Sequence, residues 1–379
     1  MKHNKIYLDN NATTELDPQV AAVILEDLKS PPANPSSVHF FGREAKHKLS
    51  KSRELIAAFF KVKPQEVLFT SCGTESMNLL LRGLIDPSSS PHIITSNIEH
   101  SCVEKTLLEL KAKGCKVSFL PAGLKGAVSL SELKAAINSE TRFLVFSAAS
   151  SETGVTHDLQ AFSSLAVDYN IPLVVDGVAQ LGKDPFLFYP GILGAGFSAH
   201  KFHGPKGVGF VLLRSPVNSG LKPLLAGGGQ EYGFRSGTEN ITGILGLAEA
   251  IRQVRENQTE ATRHMRALRD RFERNILMQL PFVQINGLGE RLCNLSNLCF
   301  LGVDAETLLI QLDLHGIAAS QGSACSSGSL EPSRILIAMG LSQTLARSSI
   351  RFSLSRFTTE QEIDYTVELL VALVPKLRG

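Results

Sequence analysis

The sequence lacks a large excess of either charge. Its 379 residues include 38 basic and 36 acidic side chains, which leaves a formal net charge of +2. A chain built to coat nucleic acid or an anionic membrane carries a strong excess of Lys and Arg. The near balance therefore argues against both, and we expect neither nucleic acid nor a membrane among the partners.

Cysteine is scarce, and no two cysteines are spaced as Cys-x-x-Cys. The six stand at positions 72, 102, 115, 293, 299 and 325. So few thiols in so long a chain do not form the disulfide framework of a secreted protein, and their spacing argues against structural zinc. We expect reduced thiols in a cytoplasmic protein that has no resident metal.

Long apolar runs are absent as well. Crossing a bilayer takes about 18 to 20 apolar residues. The nearest approach, Ile241–Ile251, is interrupted by Glu249. The N-terminal residues 1–11 lack the apolar core of a signal peptide. The sequence therefore predicts a soluble protein.

What the sequence does contain is an alternation of short apolar runs and longer helical patterns, between about residues 66 and 213. Continuous apolar strands separated by helices indicate a mostly parallel sheet covered on both faces. Ligands of such sheets bind where the strands end. The predicted strands are Glu66–Thr70, His92–Ser96, Lys116–Leu120, Arg142–Ser147, Pro172–Asp176, Leu193–Ser198 and Val208–Leu213.

The chain changes character after Glu239. Residues 239–280 form one long predicted helix rich in Arg and Glu, and the tail mixes predicted strands with predicted helices. This pattern favours a smaller α+β unit. At about 150 residues per domain, the length suits two or three folding units.

Polar side chains stand at several predicted strand ends. Thr70–Ser76 follows a strand and opens a helix, where free backbone N–H groups can bind an anion, although Ser71 or Thr74 could simply cap the helix. Asp176 ends an apolar strand, and a buried carboxylate there needs a partner such as a pyridinium nitrogen. Capping of the following turn is the alternative for Asp176.

A lysine, Lys201, stands at a later strand end beside Ser198 and His200. Such a lysine can form a Schiff base when its surroundings deprotonate the amine, whereas most lysines at strand ends are only solvated. His200 and His203 are weak candidates for metal ligands because no carboxylate lies near them in the sequence. The order of anion loop, aspartate and lysine is the layout of fold type I enzymes that use pyridoxal 5′-phosphate (PLP).

Longer segments sharpen this interpretation. They are YLDNNATT (7–14), ANPSSVHFFGREA (33–45), TSCGTES (70–76), EH (99–100), VD (175–176), SAHKFHGPKGVG (198–209), GGGQEYGFRSGTEN (227–240), GSACSSGSLEPS (322–333) and SSIRFSLSRFTTEQEID (348–364). With them, essentially the whole chain resembles the cysteine desulfurases of the NifS/IscS type, in the class V aminotransferase group. The resemblance implies an α/β fold of PLP-dependent fold type I. It also implies a large PLP-binding domain over residues 16–255, with a mostly parallel seven-stranded sheet, and a small α+β domain from residues 1–15 and 256–379.

The resemblance further implies roles for single residues. Lys201 would bind PLP covalently, Asp176 would pair with the ring nitrogen, and His100 would stack on the ring and act as an acid or base. Arg351, assisted by Asn34, would bind the substrate carboxylate, a role that suits a planar bidentate donor. The other cofactor contacts implied are Gly73, Thr74, Ser151, Gln180, Ser198 and His200, with Thr238 from the second subunit of a homodimer.

By the same resemblance, Cys325 accepts the sulfur atom. L-Cysteine would become L-alanine and a Cys325 persulfide, whose sulfur passes to an acceptor or an iron–sulfur scaffold protein, and Cys325 could transiently contact a cluster on that partner. The small residues of Gly322–Gly328 suit an accessible thiol. Alternatives are another class V PLP enzyme, such as a selenocysteine lyase or an aminotransferase, and a low-activity PLP-binding scaffold for sulfur transfer. Cys325 argues against a plain aminotransferase, since that chemistry needs no thiol.

Three positions depart from the pattern of the family. Cys72 stands in the phosphate loop where small residues are usual, Ser151 replaces an asparagine, and Ala179 replaces a glutamine, with Gln180 one position later. Two donors to the ring oxygen of PLP are thus shortened or displaced, and losing them makes that oxygen more basic. We expect slower turnover or an altered substrate.

Overall fold

The computed structural model describes residues 5–322 and 331–378. Its strands are β1 (Ile6–Tyr7), β2 (Val67–Thr70), β3 (His92–Ser96), β4 (Lys116–Leu120), β5 (Thr141–Ser147), β6 (Leu173–Asp176), β7 (Ile192–Ser198), β8 (Gly209–Leu213), β9 (Val283–Ile285), β10 (Leu295–Phe300), β11 (Ile317–Ala318) and β12 (Ser349–Ser353). The helices are α1 (Pro18–Leu28), α2 (Phe40–Phe60), α3 (Gly73–Leu84), α4 (Ser101–Ala112), α5 (Leu130–Ala136), α6 (Leu159–Asp168), α7 (Ile241–Gln279), α8 (Ala305–Leu314), α9 (Arg334–Ala338), α10 (Gln343–Arg347) and α11 (Glu360–Leu377). None of the helices within these two ranges combines the length and the apolar content needed to cross a bilayer.

Seven strands form the central sheet in the order β2-β8-β7-β6-β5-β3-β4. Strand β8 is antiparallel to both of its neighbours, and the remaining pairs are parallel. Every strand predicted for this region is present, with each end within one residue. The prediction of a mostly parallel seven-stranded sheet is therefore confirmed.

The ends of the central strands lie level with one another. Ser147 at the end of β5 is paired with Asp176 at the end of β6, and Asp176 is paired with Gly196 of β7. The loops that follow these strands consequently meet at one edge of the sheet, which is where ligands bind in open α/β sheets.

Helices cover both faces of this sheet. In β6, Leu173 and Val175 pack into a core that includes residues of α2, α6 and α7, whereas Val174 packs into a core that includes residues of α3 and α4. A strand buried on both faces has no solvated side, so its sequence is continuously apolar rather than alternating.

A second unit surrounds the antiparallel sheet β12-β10-β9, together with α8 and α11. The N-terminal strand β1 joins this unit by pairing in parallel with β11. The 39-residue helix α7 contributes to both units, since Ile251 lies in the core of the large sheet and Phe272 in the core of the second unit. The domain boundary predicted at 255/256 falls inside this helix.

Candidate active site

A cavity of about 210 Å³ opens where β5, β6 and β7 end. The N-terminal segment, the starts of α3 and α4, the loops after the central strands and β12 all contribute to its walls. Nine of the residues implied by the sequence line it, namely Gly73, Thr74, His100, Ser151, Asp176, Ser198, His200, Lys201 and Arg351. Residues as far apart as 73 and 351 in the chain therefore meet at one place.

One end of the cavity is suited to an anion. Gly73 and Thr74 form the start of α3, where backbone N–H groups lack partners inside the helix. A Cβ on Gly73 would lie 2.7 Å from Cγ2 of Val178, so only glycine fits there without a shift. The hydroxyl of Ser198 is buried and has no hydrogen-bond partner among the described residues. This donor and the helix start together form a place for a phosphate-sized anion.

Two lysines line the cavity, of which sequence reasoning found only one. Lys201 lies in the short turn after β7, and its Nζ donates to the backbone oxygen of Ala12 at 2.9 Å and to that of Asn11. The second lysine, Lys183, is buried, and its Nζ donates to the backbone oxygen of Lys201. Burial, reinforced by the charge of Lys201, lowers the pKa of Lys183 to about 7. No local signal in the sequence marks Lys183, because its burial follows from the packing of a distant helix.

Asp176 and His100 face each other across the floor of the cavity. One carboxylate oxygen of Asp176 accepts the backbone N–H of Val178 at 3.0 Å. Burial raises the pKa of Asp176, while the nearby His100 acts in the opposite direction. Burial lowers the pKa of His100, which keeps its imidazole neutral near pH 7. Nδ1 of His100 accepts the backbone N–H of Cys102 at 3.2 Å, so the ring proton of the neutral form belongs on Nε2.

A buried acid, Glu99, lies behind this pair and was missed by sequence reasoning. It accepts hydrogen bonds from the hydroxyl of Ser96 at 2.5 Å and from the backbone N–H of Ser147 at 2.9 Å. Glu99 thereby ties the end of β3 to the end of β5. Burial, reinforced by the charge of Asp176, raises the pKa of Glu99 to about 8.

Replacing Glu99 by Gln is expected to change how stability depends on pH. The folded protein keeps the Glu99 proton up to about pH 8, whereas the unfolded chain releases it near 4.5. The free energy of unfolding of wild type, minus that of Glu99→Gln, is therefore greatest below pH 4.5. This difference falls by a few kcal/mol as the pH rises to about 8. Urea unfolding at several pH values measures this difference. The exposed Glu306→Gln on α8 is the control and should show no such trend; a constant difference for Glu99→Gln would contradict the assignment.

Strand β12 brings Arg351 to the wall of the cavity. It is 1% exposed, and Nη2 lies 2.6 Å from a carboxylate oxygen of Asp9. Nη1 donates to the backbone oxygen of Ser151 at 3.1 Å, while Nε has no partner among the described residues. Asp9 and Ser151 hold the guanidinium in place, and a buried donor remains available beside the cavity.

Several residues implied by the sequence lie elsewhere. The amide of Gln180 donates to the backbone oxygen of Pro185 at 2.7 Å, on a different surface depression, so the structure does not bring it into the cavity. Asn34 is exposed, and its side-chain oxygen accepts the N–H of Ser36. Thr238 is exposed and does not line the cavity of its own chain. Cys325 lies outside the described residues.

Comparison with known proteins agrees with this arrangement. Residues 6–366 match the family described as "Aminotransferase class-V". A protein of Trichormus variabilis named "Cysteine desulfurase 2" is 40% identical over 377 residues, which cover 99% of this chain and 94% of the relative. A solved structure of a NifS-like protein superposes with a TM-score of 0.92 at 35% identity, covering 99% of this chain and 100% of the other. A structure described as SspA in complex with cysteine has a TM-score of 0.82 at 30% identity, covering 94% and 100% of the two chains.

The similarity extends through both units of the fold and includes every segment that lines the cavity. At these identities and coverages it reflects common descent rather than a shared architecture alone. The chain therefore belongs to the class V aminotransferase family, among its NifS-like cysteine desulfurases.

Proposed function

We propose that the protein is a PLP-dependent cysteine desulfurase, which converts L-cysteine to L-alanine and places the sulfur on Cys325. The observation that carries this proposal is the meeting of Lys201, Asp176 and Arg351 in one cavity. A lysine nucleophile, a buried carboxylate and a buried guanidinium are the groups that PLP chemistry on an amino acid requires.

The residues present fit the cofactor. The buried hydroxyl of Ser198 lacks a partner among the described residues, and with the start of α3 it suits the phosphate of PLP. Asp176 is a buried carboxylate without an ion-pair partner in the described ranges, which suits a protonated ring nitrogen. Lys201 lines the same cavity and would hold the aldehyde carbon.

The chain's own groups bind the substrate and move its protons. When bound, PLP supplies an electron sink for the negative charge that develops on the substrate. Nζ of Lys201 takes the proton from the substrate Cα and returns it. Nε2 of neutral His100 holds a proton that can be given to the substrate. Arg351 orients the substrate through its carboxylate, since a guanidinium binds that group with two parallel hydrogen bonds.

The sulfur step balances with a single protein thiol. The Cys325 thiolate attacks the sulfur of L-cysteine, the new S–S bond forms, and the electrons of the broken C–S bond remain on the substrate carbon, which is then protonated. L-Cysteine and one thiol thus give L-alanine and one persulfide, with no external oxidant. A thiolate is required because the neutral thiol is a poor nucleophile.

Mass measurement after incubation with L-cysteine tests the proposal. The PLP-loaded chain is expected to gain about 32 Da, the mass of one sulfur atom, on the peptide that contains Cys325, in step with alanine formation. Cys325→Ala should lose both the mass gain and the sulfide released by a thiol reductant, while it still binds PLP. A gain at Cys72 instead would reassign the acceptor, and alanine formed without any persulfide would contradict the desulfurase function.

The state of assembly and the destination of the sulfur belong to the same proposal. We infer a homodimer in which Thr238 of the partner subunit completes the phosphate site. In support, the loop that carries Thr238 is tied down by the buried pair of Glu231 and Arg53, whose atoms lie 2.6 Å apart, so that it can present a defined surface. The persulfide sulfur would pass to an acceptor such as an iron–sulfur scaffold protein, in the cytoplasm.

A further inference from the structure

Three potential metal ligands meet on the floor of the cavity. His100 and Cys102 lie at the start of α4, and Asp176 ends β6. One ligand atom from each residue, a ring nitrogen, a sulfur and a carboxylate oxygen, lies within 4.8 Å of the other two. Nδ1 of His100 and Sγ of Cys102 lie 3.0 Å apart. The resemblance implies contacts with PLP for His100 and Asp176, and it implies no role for Cys102.

The separation of the His100–Cys102 pair is close to that of two ligands on a tetrahedral ion. With zinc–sulfur and zinc–nitrogen distances of about 2.3 and 2.1 Å, tetrahedral angles place sulfur and nitrogen roughly 3.5 Å apart. The His100–Cys102 pair is about half an ångström short of this separation. The carboxylate oxygen of Asp176, within 4.8 Å of the other two ligand atoms, would be drawn in by the ion. A mixed sulfur, nitrogen and oxygen donor set favours a thiophilic cation over Mg²⁺ or Ca²⁺. The fourth position would face the cavity, where water or another thiol can enter.

The charge of the cluster also favours a cation. Asp176 is buried, and the positively charged ring nitrogen of bound PLP would balance its negative charge. Without PLP, this positive charge is missing. A divalent ion with one carboxylate, one thiolate and one neutral imidazole forms a neutral group, which is the favourable state for a buried site.

We propose that the PLP-free chain binds a thiophilic divalent cation, Zn²⁺ or Cd²⁺, through His100, Cys102 and Asp176, and that the ion and PLP exclude one another. The inference rests on the proposed function, because the ion occupies the place of the PLP ring. Binding replaces the S–H bond of Cys102 by a metal–sulfur bond and releases one proton to solvent. Because this proton must leave, the affinity for the ion increases with pH.

Cadmium titration of the full chain, stripped of PLP, tests the inference. All measurements use the Cys325→Ala background, so that the thiol assigned to persulfide chemistry adds no signal. One Cd²⁺ per chain should bind and produce a cadmium–thiolate absorption band in the ultraviolet. Adding Cys102→Ala should remove the band and weaken binding about 100-fold or more, while Cys72→Ala, which removes a cavity thiol outside the cluster, should retain both.

Competition with PLP provides the second readout. Titrating PLP into the cadmium-loaded chain should release one Cd²⁺ per PLP bound, and the chain carrying Cys102→Ala should still bind PLP. A band that survives Cys102→Ala, or Cd²⁺ and PLP bound together, would overturn the inference. A chain that binds PLP but not Cd²⁺ would refute the metal site and leave the proposed function intact. A chain that binds Cd²⁺ but not PLP would refute the proposed PLP-dependent function.

Discussion

Replacing Lys201 by Ala is expected to slow alanine formation from L-cysteine by about 10²- to 10⁴-fold. Nζ of Lys201 is the group on the cavity wall that can both hold PLP and move the Cα proton. The neighbouring Lys183 is not expected to replace it, because Lys183 is only 3% exposed whereas Lys201 is partly exposed. Steady-state assays of alanine with added PLP measure the effect, and they separate weakened cofactor binding from lost proton transfer.

The exposed Lys134→Ala on α5 is the matched control, and its rate should equal that of wild type. The unfolding midpoint of each variant shows whether the fold is retained. A Lys201→Ala protein that keeps its fold and more than about a tenth of the wild-type rate would refute the assigned proton transfer, since that step contributes 10²-fold or more.

Replacing Arg351 by Lys is expected to raise the KM for L-cysteine by about 10- to 100-fold, with a smaller change in kcat. Lysine keeps the positive charge beside Asp9 but loses the planar pair of N–H groups that binds a carboxylate. Hydrogen bonds to charged groups contribute about 1.5–3 kcal/mol, which corresponds to this range. The KM and kcat for L-cysteine are measured separately, because loss of a carboxylate contact acts first on binding.

Arg347→Lys offers the comparison for this prediction, because Arg347 is exposed on α10 only four residues earlier. Its KM should stay within about twofold of wild type. The carboxylate-binding role of Arg351 would be disproved by an Arg351→Lys protein whose KM for L-cysteine is also unchanged.

The strands and their ends could be predicted because the central sheet is buried on both faces. Continuous apolar runs such as residues 173–175 are the direct result of that burial, and they end where polar residues can reach the cavity. Asp176 and Lys201 each follow such a run, so their position at one edge follows from the parallel direction of the strands. The resemblance to a known family then added His100 and Arg351, for which no local pattern exists.

What could not be predicted depends on contacts between distant segments. Lys183 is buried because its neighbours in the chain pack against α7, where Thr262 donates to its backbone oxygen at 2.6 Å. Glu99 becomes a buried acid only because β3 and β5 are adjacent. Cys102 looks like an ordinary helix residue until Asp176 is placed beside it. The amide of Gln180 does not substitute for the glutamine that Ala179 replaces, since its chain turns toward Pro185.

The long helix α7 is a single continuous element shared by the two units. Near its start, the side chains of Ile244 and Leu247 are covered by the large sheet, and toward its end Phe272 and Ile276 are covered by the second unit. Cutting the gene between residues 255 and 256 would leave each half of α7 with the core that it already packs against, because Ile244 and Leu247 precede the cut and Phe272 and Ile276 follow it. The cut would instead remove the continuous helix that joins the two units, so each fragment would keep its own part of α7 and lose this connection to the other.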